Sequence, residues 1–365
     1  MAVRNDGDAA RANLEAARAD LAAARDAGDV ARAQVLEALV TCGGDLVIYR
    51  PARDHYGVRL GTIHEDDHVA VLVPGVGTGT DLRAQWLPSA RNLYEAAEAT
   101  TVILWKGYDE PPDLVVAAAR TIGCADDVRS AAADLTAFVR ALPLRPDQTV
   151  TVVAHSFGSI VTGAALADCG LRCTDVVVAG SPGMTVDDLR QLHLDAAHLF
   201  TEEAPGDPVA DLGLYGAEPT SPVFGGTRMR TNAPGHVAVR AHSEYFVPGS
   251  ESLDNIVAVV TGRYDRVTVH ETTLAESAGG LVAWTLRLPT LPIGVVARHY
   301  RGPGFRVLVN LRHAADLTAN EAGNAVYLGL DAAGRVAAWV AGRMGAAPGR
   351  PGATGDPAGP TEDGG

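Results

Sequence analysis

The stretch Thr149-Val-Thr-Val-Val-Ala-His-Ser-Phe-Gly-Ser-Ile-Val-Thr-Gly-Ala-Ala-Leu166 decides how this chain is read. Its first part, Thr149–Ala154, is almost wholly β-branched and suits a strand covered on both faces. Its second part, from Gly158 to Asp168, is small, apolar and of helix length. Ser156 falls at the junction. A sharp strand-to-helix turn lifts a serine hydroxyl above the end of a sheet when the residues two positions away on each side are small. The usual Gly-x-Ser-x-Gly pattern appears here as Ala154-His155-Ser156-Phe157-Gly158, with alanine in the first glycine position.

The same relaxed pattern recurs at Ala179-Gly180-Ser181-Pro182-Gly183, again after a Val-rich run. Backbone chemistry separates the two serines. An oxyanion formed at such a turn is held by the N–H of the following residue, which Phe157 has and Pro182 lacks. One such donor is worth about 2.7–4 kcal/mol in the transition state. Ser156 is therefore the candidate nucleophile, and Ser181 reads as a strand-end turn.

Working outward from this turn, short β-rich runs alternate with helical segments. Asp45–Tyr49, Val58–Ile63, His68–Val73, Thr101–Trp105, Asp175–Ala179 and His198–Thr201 read as further strands. Asp81–Ala99 and Asp126–Ala141 read as helices. Alternation of this kind predicts a mostly parallel twisted sheet with helices on both faces, with reacting groups at the carboxyl ends of the strands.

A serine hydroxyl is a weak nucleophile until a histidine, oriented by a carboxylate, takes its proton. In this architecture the order along the chain is serine, acid, histidine. Asp207, in the loop after His198–Thr201, is the candidate acid; Glu203 and Asp211 are its rivals. His236–Ala241 reads as a last short strand, and His242, at its carboxyl end, is the candidate base. His236 starts that run and is the weaker choice. His155 reads as packing or hydrogen-bonding beneath the turn. The Gly-rich loop Val71-Leu-Val-Pro-Gly-Val-Gly-Thr-Gly-Thr80 follows an early strand, and Val76 is the expected second oxyanion donor beside Phe157.

These residues resemble the α/β-hydrolase superfamily, and more narrowly a bacterial branch of it labelled a domain of unknown function. The resemblance spans roughly residues 45 to 262. It rests on Val71–Thr78, Leu104-Trp-Lys-Gly-Tyr-Asp-Glu-Pro111, Ala154–Gly158, Val178–Gly183, Gly206-Asp-Pro208 and His242-Ser-Glu-Tyr-Phe246. It implies the α/β-hydrolase fold and a serine hydrolase in which Ser156 is the nucleophile, Asp207 the acid and His242 the base.

Composition narrows the alternatives. With 30 Lys+Arg against 44 Asp+Glu, the 365-residue chain carries a formal charge of −14, which argues against a nucleic-acid partner. Four cysteines are too few for a disulfide framework, so they are expected as reduced thiols. The first 29 residues carry charges every few positions and no apolar leader, so a cytoplasmic location is expected. Gly279–Val296, the most apolar later stretch, contains Arg287, Pro289 and Pro292 and is not expected to span a membrane.

Four regions are expected. Residues 1–41 form a helical hairpin broken at Gly28-Asp29, a possible contact for a protein partner. Residues 42–264 form the hydrolase domain, residues 265–345 an extension and residues 346–365 a disordered Gly/Pro-rich tail. Within the extension, Val267–Val269 and Phe305–Leu308 read as strands and Glu321–Met344 as helix. The loop from Asp211 to Pro234 lies between acid and base and is a candidate cover for the site.

Two motifs point elsewhere. His64-Glu-Asp-Asp-His68 fits a zinc-protease pattern, but that chemistry needs a helix, and here the motif sits between two β-rich runs as a hairpin turn. Gly75-Val-Gly-Thr-Gly-Thr80 has threonine where a dinucleotide loop needs its third glycine. No cofactor and no metal are expected. The expected activity is hydrolysis of a small-molecule ester, thioester or amide through an acyl-enzyme. The alternatives are acyl transfer by the same residues, or an inactive hydrolase fold kept as a binding scaffold.

Overall fold

In the computed structural model, residues 6–76, 82–109, 121–210, 215–293 and 305–345 are described. Eight strands form one sheet: β1 (Asp45–Arg50), β2 (His55–Leu60), β3 (His68–Val73), β4 (Thr100–Lys106), β5 (Thr149–His155), β6 (Asp175–Ala179), β7 (Leu199–Glu202) and β8 (Thr227–Arg228). Their order is β1-β2-β4-β3-β5-β6-β7-β8. β2 runs antiparallel to β1 and β4, and every other pair is parallel.

The near-continuous Val/Ile/Leu runs are explained by cover on both faces, since successive side chains point to opposite sides. Val71, Ile103, Val152 and Val178 pack with α4 (Thr121–Arg140) and α5 (Phe157–Cys169) on one side. Leu72, Leu104, Val153 and Val177 pack on the other. Their partners there come from α2 (Val30–Thr41), α3 (Leu87–Ala96) and α6 (Glu251–Val260). The helix expected over Asp81–Ala99 begins instead as a π-helical turn, Leu82–Trp86, and continues as α3.

α1 (Asp6–Asp26) and α2 meet at Gly28, whose φ of 70° only glycine adopts without strain. Asp29 caps α2 by accepting from the Arg32 N–H. The pair leans on the first strand: Asn13 donates to the Leu46 carbonyl, and the Tyr49 hydroxyl donates to Asp20.

Four expectations need correction. β2 and β3 are not a hairpin, because β4 lies between them; the segment His64–His68 is a turn crossing from one strand to a non-neighbour, and His68 pairs with Thr149 Oγ1. His236–Ala241 is irregular, and the sheet ends at β8, a two-residue strand too short to show a period. Phe305–Leu308 opens the long helix α8 (Phe305–Gly345), since four residues alone cannot distinguish strand from helix. Val267–Val269 supplies only a single bridge, Val269 to Met229.

α7 (Leu274–Arg287) is started by a capping box at Thr273 and Glu276, and it crosses α8 closely at two glycines. A Cβ on Gly279 would stand 2.6 Å from the Gly323 carbonyl, and one on Gly323 would stand 2.7 Å from that of Gly279. Among the described residues no helix is long and apolar enough to cross a membrane. The 346–365 tail lies outside the described residues.

Candidate active site

Ser156 sits between β5 and α5 with φ 53° and ψ −122°, a conformation that costs a residue with a Cβ about 1–3 kcal/mol. Its backbone is pinned by the Ser156 N–H to Ala179 carbonyl bond of 3.1 Å. The small residue at 158 is mandatory: a Cβ there would be 2.3 Å from the Val73 carbonyl oxygen. At the other side, Ala154 is accommodated in the core. Gly75, in the loop after β3, lies directly against the serine, since a Cβ on it would stand 2.8 Å from Ser156 Cβ and 3.2 Å from Ser156 Oγ. Val76 follows it, half-buried, and Phe157 opens α5.

Asp207 and His242 meet at the carboxyl end of the same sheet. Asp207 Oδ2 and Oδ1 lie 2.8 and 3.0 Å from His242 Nδ1, which donates between them. The carboxylate is fully buried and also accepts from the Tyr245 hydroxyl at 2.6 Å and the Val209 N–H at 2.9 Å. Burial by itself pushes its pKa up; the bonds from His242, Tyr245 and Val209 outweigh that and bring it down to about 2. Tyr245 in turn is held high by burial and by Asp207, so its hydroxyl stays a donor, and it accepts from the Ala204 N–H at 2.8 Å.

His242 is carried by a loop, not a strand. The side-chain amide of Asn232 brackets Val239 through both its N–H and its carbonyl, and Glu244 accepts from the Arg240 and Ala241 N–H groups. These contacts replace the ladder that a strand would have supplied. Behind the pair stands Gly180, at φ 57°, where a Cβ would come 2.8 Å from Asp207 Oδ2 and 2.9 Å from His242 Nδ1.

His155 links this pair to the serine turn. It is buried, and its Nε2 donates to the His242 carbonyl at 2.5 Å. Its ring centroid is 4.5 Å from that of His242 and 5.1 Å from that of Trp86. Burial first, and His242 second, lower its pKa to about 3, so it is a neutral fixed donor and not a base. Ser156 Oγ and His242 Nε2 are both buried, and neither makes a hydrogen bond. Such atoms are costly in a packed interior unless a ligand or a reaction uses them.

The rival candidates are engaged elsewhere or undescribed. Glu203 pairs with Arg228 and accepts from Thr220. His236 pairs with Asp254. Asp211 lies outside the described residues. Ser181 Oγ is bonded to Ser159 Oγ at 2.7 Å. Among the described residues no group of three or more His, Cys, Asp or Glu is arranged to hold a metal ion. Sequence reasoning missed the parts of Tyr245 and Gly180. Both were legible as members of short motifs, His242–Phe246 and Ala179–Gly183, but only the fold shows what they touch.

A strained serine after a central parallel strand and an Asp–His pair with a buried carboxylate lie at the carboxyl end of the sheet, the arrangement of an α/β hydrolase. A family model described as alpha/beta hydrolase matches residues 55–217. The chain belongs to the α/β-hydrolase superfamily. It is 30% identical over 201 residues to an uncharacterized protein of Mycobacterium bovis, covering 49% of this chain and 73% of that protein. It is 26% identical over 291 residues to an uncharacterized protein of Mycobacterium tuberculosis H37Rv, covering 68% of this chain. The chain spans 44% of the length of that relative. Among solved structures, an acylaminoacyl peptidase aligns with 60% of this chain and 41% of its own at 13% identity and a TM-score of 0.35. A carboxyl esterase from Bacillus coagulans aligns with 35% and 40% at 15% identity and a TM-score of 0.24.

Proposed function

We propose that the protein is a serine hydrolase that cleaves an ester, thioester or amide of a small acyl substrate through an acyl-enzyme. Ser156 Oγ attacks the carbonyl carbon while His242 Nε2 takes its proton, and Asp207 holds the imidazole with Nδ1 as the donor. The N–H groups of Phe157 and Val76 stabilise the oxyanion. Collapse expels the alcohol, thiol or amine, which leaves with the proton from His242. Water, deprotonated by His242, then attacks the acyl-serine and releases the carboxylic acid.

The observation that carries this reading is the pairing of a fully buried Asp207 with a partly exposed His242, packed against His155 beside a strained Ser156. Ser156 Oγ and His242 Nε2 are both buried atoms without hydrogen-bond partners. A fluorophosphonate probe tests it. The wild type is expected to be labelled and to hydrolyse short aryl esters, with both lost in Ser156→Ala. Equal labelling of both proteins, or none of the wild type, supports the binding-scaffold alternative and overturns the proposal.

A further inference from the structure

The loop that carries Val76 is held by a side chain to which the mechanism gives no part. β3 and β4 pair in parallel, so Pro74-Gly75-Val76 and Gly107-Tyr108 leave the sheet side by side at its carboxyl end. Tyr108 is 1% exposed. Its ring centroid is 6.0 Å from that of Trp105 and 5.8 Å from that of Phe157. Its hydroxyl donates to the Pro74 carbonyl at 2.5 Å, and the Gly75 carbonyl oxygen lies 3.2 Å from the same hydroxyl.

Those two carbonyls belong to the peptide planes on either side of Gly75. The serine dictates glycine at 75, since a Cβ there would stand 2.8 Å from Ser156 Cβ. Glycine, however, leaves both flanking planes free to turn. The plane before it is confined by α5, where a Cβ on Gly158 would stand 2.7 Å from the Pro74 carbonyl oxygen. The plane after it carries the Val76 N–H. In a trans peptide the N–H points opposite to the C=O, so a hydroxyl that holds the Gly75 carbonyl also fixes the direction of the Val76 N–H. Turned over, the same peptide would present its carbonyl oxygen in place of that N–H, and a carbonyl dipole so directed repels an oxyanion.

We infer that Tyr108 is a positioning residue of the oxyanion site: its hydroxyl stops the Gly75–Val76 peptide from turning over and so keeps the Val76 N–H aimed at the developing oxyanion. This rests on the serine-hydrolase reading with Val76 as the second donor. Tyr108 acts through the backbone and takes no part in proton transfer. Because its ring also packs on Phe157, whose N–H is the first donor, one side chain steadies both halves of the oxyanion site. Removing a donor outright costs about 10²–10³ in kcat. Loosening one by Tyr108→Phe, which keeps the ring, should cost about 10- to 100-fold in kcat. KM should change little, since the donor acts on the transition state.

The test compares the full-length wild type with Tyr108→Phe in the hydrolysis of 4-nitrophenyl butyrate and in inhibition by an alkyl trifluoromethyl ketone. Ser156 Oγ adds to the ketone carbon, its proton passing to His242 and the carbonyl electron pair to oxygen, so the adduct carries the oxyanion. Its affinity should weaken by the same factor as kcat/KM. Tyr264→Phe is the control for a lost tyrosine–carboxylate bond: it releases Asp175 at the amino end of β6 and should leave kcat within about twofold. Incorporation of 4-aminophenylalanine in place of Tyr108, which restores a donor to both carbonyls, should recover most of the lost kcat. The inference is overturned, with the hydrolase reading intact, if the wild type takes the fluorophosphonate label and Tyr108→Phe keeps kcat and ketone affinity within about twofold. It is overturned likewise if the loss falls on KM alone, if Tyr264→Phe loses as much kcat, or if the amino variant recovers none. Failure of Tyr108→Phe to fold would assign the hydroxyl to the core and also overturn it. A wild type that takes no label overturns the hydrolase reading and this inference together.

Discussion

Replacing Tyr245 by Phe removes one oxygen and leaves the ring. That oxygen donates to Asp207 Oδ2 at 2.6 Å and accepts from the Ala204 N–H at 2.8 Å, and both neighbours are fully buried. A hydrogen bond to a charged group is worth about 1.5–3 kcal/mol, and an orphaned buried N–H costs about 1–3 kcal/mol. Allowing for overlap, Tyr245→Phe should destabilise the protein by about 2–4 kcal/mol. Part of this depends on pH. The native pKa of Asp207, about 2, lies below the usual 3.8, so its ionisation contributes stability that is complete at neutral pH and fades as pH falls from about 4 towards 2. That lowering corresponds to about 2 kcal/mol in all, shared among His242, Tyr245 and Val209. Without the tyrosine hydroxyl the native pKa rises and the fading begins at higher pH. The stability gap between wild type and variant is therefore widest at neutral pH and narrows on acidification. Urea unfolding at about pH 7, 5 and 3 measures that gap, and aryl-ester kinetics should show a lower kcat. A gap below about 0.5 kcal/mol at neutral pH, or one that widens in acid, would refute the argument.

Gly180→Ala is expected to abolish ester hydrolysis, because the added methyl meets Asp207 Oδ2 and His242 at 2.8–2.9 Å on a backbone already at φ 57°; unchanged kinetics would show that the pair is free to move. His155→Phe keeps a ring but removes the donor to the His242 carbonyl, so kcat should fall by about tenfold or more with KM little changed, a split that steady-state kinetics reads directly. Arg287→Met removes the donor to Asn320 and to the Gly216 carbonyl and leaves Asp316 paired with Arg312, and a loss of about 1–3 kcal/mol in chemical unfolding is expected.

The sheet was legible because its central strands are apolar on both faces, which produces runs such as His68–Val73 and Asp175–Ala179 that few other structures need. Ser156 was legible for a related reason: the turn that exposes a hydroxyl also demands Gly158, and that demand is written in the sequence. The connection at His242 was not. Its loop is built from single side-chain brackets by Asn232 and Glu244, which have no period, and the alternating Val237 and Val239 imitate a strand. Of the α7–α8 pair, only Glu321–Met344 was legible as helix; Gly279 and Gly323, which weaken a helix reading, are what let the two helices approach closely.

The φ of 53° at Ser156 has an evolutionary consequence. Glycine is the one residue that would relax there, recovering about 1–3 kcal/mol of folding stability while discarding the hydroxyl. A library selected for heat resistance alone should enrich glycine at position 156. The persistence of serine in so unfavourable a place would then record a requirement that thermostability does not impose.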